Sequence, residues 1–361
     1  MTDGTSTTTA VTGARPDLPD PPDAAAERRP ADGPLPAEGP GGSESPRPPS
    51  RPAPADGMVR RYARLGKLDV YDYYLGVPIV LAAVLAPGGG ITERTGLLLG
   101  VFLVAQVCLL MALVAFDDVT GFRDGSDITN YGPDHPLRNV QRKPLVAGTL
   151  TVPQALRFAW CCAVAAALLF AATYALAPHR PLWTAVGLAV LWAAALQYSY
   201  GVRISYHGFQ EIYLVALGFA LVVLPYGMIT GRAAGLLLVQ AVLFGFGPLM
   251  FGVYSNTNDV EGDRSVGRPT VAALLSERGN ARFIGALSLA EFLLVAVASA
   301  TGTAPWWFLP LMLPASLLRL RQYLLGFREG DIMRARRVGF AVHRVGVALM
   351  VVSHLVVGLT S

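Results

Sequence analysis

Cysteine is nearly missing from this chain, with three in 361 residues, and Cys108, Cys161 and Cys162 all lie inside apolar runs. Their spacing offers neither a zinc ligand set nor a disulfide framework, which leaves them as small packing residues. Charge is scarce too: 15% of the residues are Asp, Glu, Lys or Arg, against 53% hydrophobic. With a mean hydropathy of +0.44, such a chain reads as an all-α polytopic membrane protein rather than as several soluble domains. The net charge of +4 is spread among loops and not gathered into a stripe with interleaved aromatics, so nucleic acid is not an expected partner.

Residues 1–57 lack something else. They hold thirteen prolines among Ala, Gly, Ser, Asp, Glu and Arg, and almost no aromatic or β-branched apolar residues. Such a segment cannot bury enough surface to offset chain entropy, and it is expected to be a disordered tail. It has no apolar stretch of the kind a secretory leader carries. Residues 58–361 then form the membrane domain.

Apolar runs of spanning length recur near 72–87, 96–118, 152–177, 181–200, 209–230, 233–257, 282–301, 305–321 and 338–358, which predicts about nine transmembrane helices. Loop charges alternate. Arg60, Arg61, Arg64 and Lys67 precede the first run; Arg123, Arg138, Arg142 and Lys143 follow the second; Arg264, Arg268, Arg278 and Arg282 follow the sixth; and Arg328, Arg334, Arg336 and Arg337 follow the eighth. Arg203 follows the fourth, and the alternate loops hold only Glu93, Arg94, His179, Arg180 and Arg232. Positive charge inside places the N-terminus and these basic loops in the cytoplasm of a cell-membrane protein, and an odd number of spans leaves the C-terminus outside.

Two acidic stretches interrupt the apolar pattern where runs end: Asp117, Asp118, Asp124 and Asp127 in the first, and Asn256, Asp259, Glu261 and Asp263 in the second. Carboxylates at a membrane boundary are costly and mark function. Asp259 and Asp263 are four apart and share a helix face, and Asn256, one turn earlier, adds a neutral oxygen. Arg264 and Arg268 follow, able to hold phosphate oxygens. In the first stretch Asp117 and Asp124 are seven apart and nearly in register, with Asp127 a turn later and Asp118 about 100° away; Gly121 and Gly125 argue against an unbroken helix there. Arg138, Arg142 and Lys143 supply cations before a Pro144 to Gly148 turn. Two acidic clusters at one face can share hard divalent cations, Mg²⁺ foremost, and these in turn bind a diphosphate. Tyr198, Tyr200, Tyr206 and Tyr254 offer π faces to a cation, and Glu211 offers a carboxylate to orient Arg203, to deprotonate a second substrate, or simply to face a helix dipole. Glu291, deep in a run, must be paired, neutral or facing a cavity. His343 and His354 lack a partner at ligand spacing and read as structural.

These runs resemble the UbiA superfamily of intramembrane prenyltransferases, whose pattern is N-D-x-x-D-x-x-x-D after the second helix, a basic R-P-L-x-x-G turn and D-x-x-x-D after the sixth. The resemblance covers about residue 70 to the end and is nearest to the quinone-type enzymes that prenylate dihydroxynaphthoate, through Tyr198-Ser199-Tyr200, the run from Tyr206 to Glu211, and Asn256-Thr257-Asn258-Asp259. It implies a UbiA-like helical bundle in which Asp117, Asp118, Asp259 and Asp263 serve ionisation of an isoprenyl diphosphate with Mg²⁺. It also places Lys143 where the family has Arg, and implies transfer to a lipophilic aromatic or quinone-type acceptor. The first motif departs from the pattern: Asp117 replaces Asn, and Gly121 and Gly125 stand at the next two Asp positions. A terpene cyclase that needs no acceptor is the alternative within the same superfamily.

Overall fold

A computed structural model describes residues 57–68, 70–86, 91–131 and 139–360. The proline-rich segment and Arg138 lie outside the described residues, apart from Gly57. Among the described residues every regular element is helical.

A short helix, α1 (Met58–Leu65), precedes α2 (Gly76–Leu85) and the 31-residue α3 (Glu93–Arg123), whose first turn is capped by the Thr92 hydroxyl accepting from the Thr95 amide. That side chain satisfies one of the amides a helix start leaves unpaired. Gly125, at φ 89°, stops α3 and turns the chain into α4 (Ser126–Asn130). A capping box between Thr151 and Gln154 starts α5 (Val152–Leu176), and α6 (Leu182–Gln197) follows. Then come α7 (Gln210–Thr230), α8 (Gly235–Asn256), the short α9 (Val260–Ser265) and α10 (Val271–Leu274), and finally α11 (Glu277–Ala300), α12 (Phe308–Phe327) and α13 (Ile332–Thr360).

Each of the nine apolar runs coincides with one of these helices, yet six, not nine, are long and apolar enough to cross a membrane by themselves: α3, α5, α7, α8, α11 and α13. Of the others, α2 has 10 residues and α6 has 16. At about 1.5 Å per residue, neither covers a hydrocarbon core of ~30 Å. The remaining helix, α12, has 20 residues but carries Arg319, Arg321 and Gln322.

The largest packing partners are α3 with α5, α7 with α8, and α12 with α13. The α7–α8 pair meets backbone to backbone: a Cβ at Gly218 would lie 2.5 Å from the Gly245 Cα, and one at Gly245 would lie 2.5 Å from the Val215 carbonyl oxygen. Lipid supplies no hydrophobic drive between helices, so close approach of small residues is what holds such a pair. One extended apolar core, including Phe102, Leu109, Leu217, Leu221, Met228 and Phe244, joins α2, α3, α7, α8 and α13. Glu291 is paired: Arg319 grips both its carboxylate oxygens, at 2.6 and 3.2 Å, and reaches Gln322 at 2.6 Å. An intramembrane ion pair of this kind is tolerated because every charge meets its partner.

Candidate active site

The boundary between α3 and α4 places the first carboxylates. Asp117 and Asp118 sit in the last two turns of α3. Asp118 is almost fully buried, and each of its oxygens accepts from an ammonium at 2.8 Å, Lys67 on one and Lys143 on the other. Lys143 also donates to Asp127 at 2.7 Å. Lys67, itself at an uncommon φ of 54°, donates as well to the Arg142 carbonyl at 2.9 Å. Burial works against the Lys143 ammonium, but Asp118 and Asp127 outweigh it and hold its pKa well above the usual range. Burial likewise pushes the Asp127 carboxyl up to about 6, with Lys143 pulling it down and Asp118 pushing it higher.

Asp127 reaches this cluster through two glycines. Gly125 takes the left-handed conformation that turns the chain back. A side chain at Gly121 would run into the Asp127 carboxylate, whose carbon would lie 2.8 Å from a Cβ placed there. Asp127 therefore fills the space that a side chain at position 121 would occupy. Asp124 is directed elsewhere: it accepts from the Ser126 amide at 3.0 Å, from the Ser126 hydroxyl at 2.8 Å and from the Tyr206 hydroxyl.

The second motif is not one continuous helix. It breaks after α8, and Asp259 stands at the N-cap position of α9 while accepting, through its carbonyl, from the Asp263 amide at 2.9 Å. The one-turn relation of Asp259 and Asp263 survives the break. Asp263 is buried, and its carboxylate accepts from the Thr270 hydroxyl at 3.0 Å. Burial pushes its pKa up to about 7, with Arg268 pulling down and Asp259 pushing up. Arg268 bridges the motifs, its guanidinium 3.6 Å from Asp117 and 5.2 Å above the Tyr206 ring. Asp117 also accepts from the Ser199 hydroxyl at 2.5 Å. A second tie is Asn130, whose side-chain oxygen accepts from the Gly262 amide at 3.2 Å and so fixes α4 to α9.

Both motifs open on one cavity of about 300 Å³. Its polar end is lined by Asp117, Asp118, Asp127, Asn256, Asp259, Asp263, Lys67, Arg142, Lys143 and Arg268. From there it runs between Leu110, Leu113 and Val114 of α3 and Leu214, Leu217 and Leu221 of α7. Of the expected tyrosines, Tyr198 lines it; Tyr200 stacks on Phe116 and Tyr206 serves Asp124 and Arg268 from outside. Tyr254 does not reach it, being fully buried against Phe327. Arg264, exposed and donating to the Ala273 carbonyl, and Glu211 are likewise not brought to the cavity. Charge counting along the loops noted Lys67 without its role, and Tyr71, Asn130, Gln210, Arg336 and His343 are further lining residues that motif reading missed. His343, read as structural from its sequence neighbours, faces this cavity beside Phe244. The 336–340–343 spacing on one helix face was the available signal.

Residues 75–342 match the model of the UbiA prenyltransferase family. The chain belongs to that family. It is therefore a multi-pass membrane protein of the prenyltransferase type. Solved UbiA structures share the fold. An apo UbiA homologue from Aeropyrum pernix K1 superposes with a TM-score of 0.57 at 18% identity, over 78% of this chain and 97% of that one. A UbiA homologue from Archaeoglobus fulgidus, bound to DMAPP and Mg²⁺, gives 0.54 at 13% identity over 80% and 99%. A digeranylgeranylglyceryl phosphate synthase gives 0.54 at 12% identity over 84% and 99%. No curated protein matches the chain.

Where the UbiA pattern has Asp, position 121 is Gly, and the Asp127 carboxylate lies against it. Among the described residues no three Asp, Glu, His or Cys side chains converge as a ready-made metal cage. Mg²⁺ does not require one, since it keeps waters and is held through one or two carboxylates together with substrate phosphates. The polar end offers carboxylate oxygens and the side-chain amide oxygen of Asn256. That hard-oxygen set fits such an ion.

Proposed function

We propose that the protein ionises an isoprenyl diphosphate at the shared end of this cavity and transfers the prenyl group to a lipophilic aromatic or quinone-type acceptor. The observation that carries this reading is the convergence of both acidic motifs, Lys67, Lys143 and Arg268 on one cavity that continues into an apolar passage. The Archaeoglobus UbiA homologue solved with DMAPP and Mg²⁺, and again with GPP and Mg²⁺, supports it. Asp117, Asp118, Asp127, Asn256, Asp259 and Asp263 would hold Mg²⁺, which when bound neutralises charge on the departing diphosphate. Arg142, Lys143 and Arg268 hold phosphate oxygens by charge-assisted hydrogen bonds, and the leucine-lined passage takes the prenyl chain and keeps water from the allylic cation. Asp124, Arg264, Tyr200, Tyr206, Glu211 and Tyr254 act, in this reading, from outside the cavity. The basic loops beside both motifs support a cytoplasmic opening and N-terminus.

A second reading, a terpene cyclase, has its own support: Tyr71, Tyr131, Tyr198, Phe244, Phe251 and Phe340 line the cavity, and aromatic faces stabilise a migrating cation. One experiment separates the two. Detergent-purified protein is incubated with Mg²⁺ and geranyl, farnesyl or geranylgeranyl diphosphate, first alone and then with a dihydroxynaphthoate, while diphosphate and extractable products are followed. Release that waits for the phenol supports transfer. A cyclic hydrocarbon formed without it, and lost in Asp259→Ala, supports the cyclase. Intact donors under both regimes contradict both readings.

A further inference from the structure

One wall of the cavity comes from α13, which carries neither acidic motif. Arg336, Gly339, Phe340 and His343 line it, at spacings of three, four and seven that put them on one helix face. Arg336 differs from the other cations of the cavity interior. Lys67 and Lys143 each lie within 2.8 Å of a carboxylate oxygen, and Arg268 lies 3.6 Å from one. Among the described residues no carboxylate forms such a pair with Arg336, and its Nε, like that of Arg268, is buried without a hydrogen-bond partner. The Phe251 ring lies 4.4 Å from its guanidinium carbon, and Phe251 in turn packs against Tyr71 and Phe340, which limits the planes the guanidinium can adopt.

An arginine desolvated on one face, with a buried donor left over and a cavity before it, is half of a charge-assisted pair. Its natural complement is an oxyanion, which the planar fork can bind through two parallel N–H groups. The charge of each paired cation is already offset by a neighbouring carboxylate. That of Arg336 is not, so it adds net positive charge to a cavity rich in carboxylates.

We propose that Arg336 is an oxyanion-binding residue of this cavity, engaging either the diphosphate of the donor or an acidic substituent of a second substrate. The proposal rests on the prenyltransferase reading only for the first of these sources. The test uses the full chain in detergent and titration calorimetry with two probes, farnesyl diphosphate with Mg²⁺ and 2-naphthoate, on wild type and Arg336→Met. Loss of one charge-assisted contact weakens the affected probe about tenfold or more. A weakened farnesyl diphosphate assigns the oxyanion to the donor; a weakened 2-naphthoate alone assigns it to the second substrate. Both dissociation constants unchanged would overturn the proposal. If wild type binds 2-naphthoate through Arg336 but does not bind farnesyl diphosphate, the prenyltransferase reading fails and this one stands. If wild type binds neither probe, both fail. Should Arg336→Met not fold, Arg336→Gln is held to the same criteria.

Discussion

The two acidic motifs meet in one cavity but are built differently. In the first, the carboxylates of Asp118 and Asp127 are locked by Lys67 and Lys143 at 2.7–2.8 Å. In the second, Asp263 has a neutral partner, Thr270, and a carboxyl whose pKa burial raises to about 7. A metal ion arriving at the first motif must displace ammonium groups from buried carboxylates, whereas at the second it displaces a hydroxyl and a proton. The irregular motif is thus the preassembled, charge-compensated half and the regular one is the responsive half. Regular spacing in sequence and rigidity in space are separate properties.

The comparison can be broken most forcefully at Lys143. Replacing it with Met leaves Asp118 and Asp127 without their shared cation, and removing one partner of a buried pair costs about 3–5 kcal/mol. A denaturation series in detergent checks this, and a loss below about 1 kcal/mol would mean the first motif is not charge-locked. Next in size is Asp263→Ala. Mg²⁺-dependent diphosphate release should fall about 10²–10³-fold, the usual scale for removing one group that stabilises developing charge.

A smaller effect sharpens the account of Gly121. Asp127→Gly should lower activity about 10–100-fold, as loss of a supporting metal-site residue does. Gly121→Asp alone should also harm, because its Cβ meets the Asp127 carboxylate. Combining the two should recover part of the loss; a double variant worse than either single one would show that Asp127 does not stand in for position 121.

The mildest effect concerns pH. The folded-state pKa of Asp263 is raised from 3.8 to about 7, so the folded chain holds that proton more tightly than the unfolded one. Its contribution to stability is complete below pH 3.8 and is lost as pH rises towards about 7. In chelator the thermal midpoint should therefore decline across that window, with Asp263→Asn flattening the decline. Mg²⁺ should bind more tightly as pH rises through the same range, because binding releases the proton.

Much of this was legible in the chain itself. Each apolar run located a helix, though not which of them span alone, because span length depends on caps and turns that hydropathy averages over. The D-x-x-x-D spacing put Asp259 and Asp263 one turn apart, and that relation holds even though the helix breaks between α8 and α9. What stayed hidden depended on reversals of the chain. A single left-handed glycine, Gly125, sends Asp124 towards Ser126 and Tyr206 and brings Asp127 to Lys143, a separation that helical register along the first motif does not show. Tyr254 has the composition of a pocket residue and the neighbours of a packing one. Lys67 and the α13 wall come from opposite ends of the domain, and no local spacing links them to either motif.

The proposed function requires both motifs to act as one unit on one diphosphate. The direct measurement is Mg²⁺-dependent diphosphate release by Asp118→Asn, Asp263→Asn and the double variant, with and without a phenolic acceptor. Residues that act as a unit are strongly non-additive. The expected result is a double variant no slower than the slower single one. Two independent losses that multiply, or a single variant indistinguishable from wild type, would contradict it.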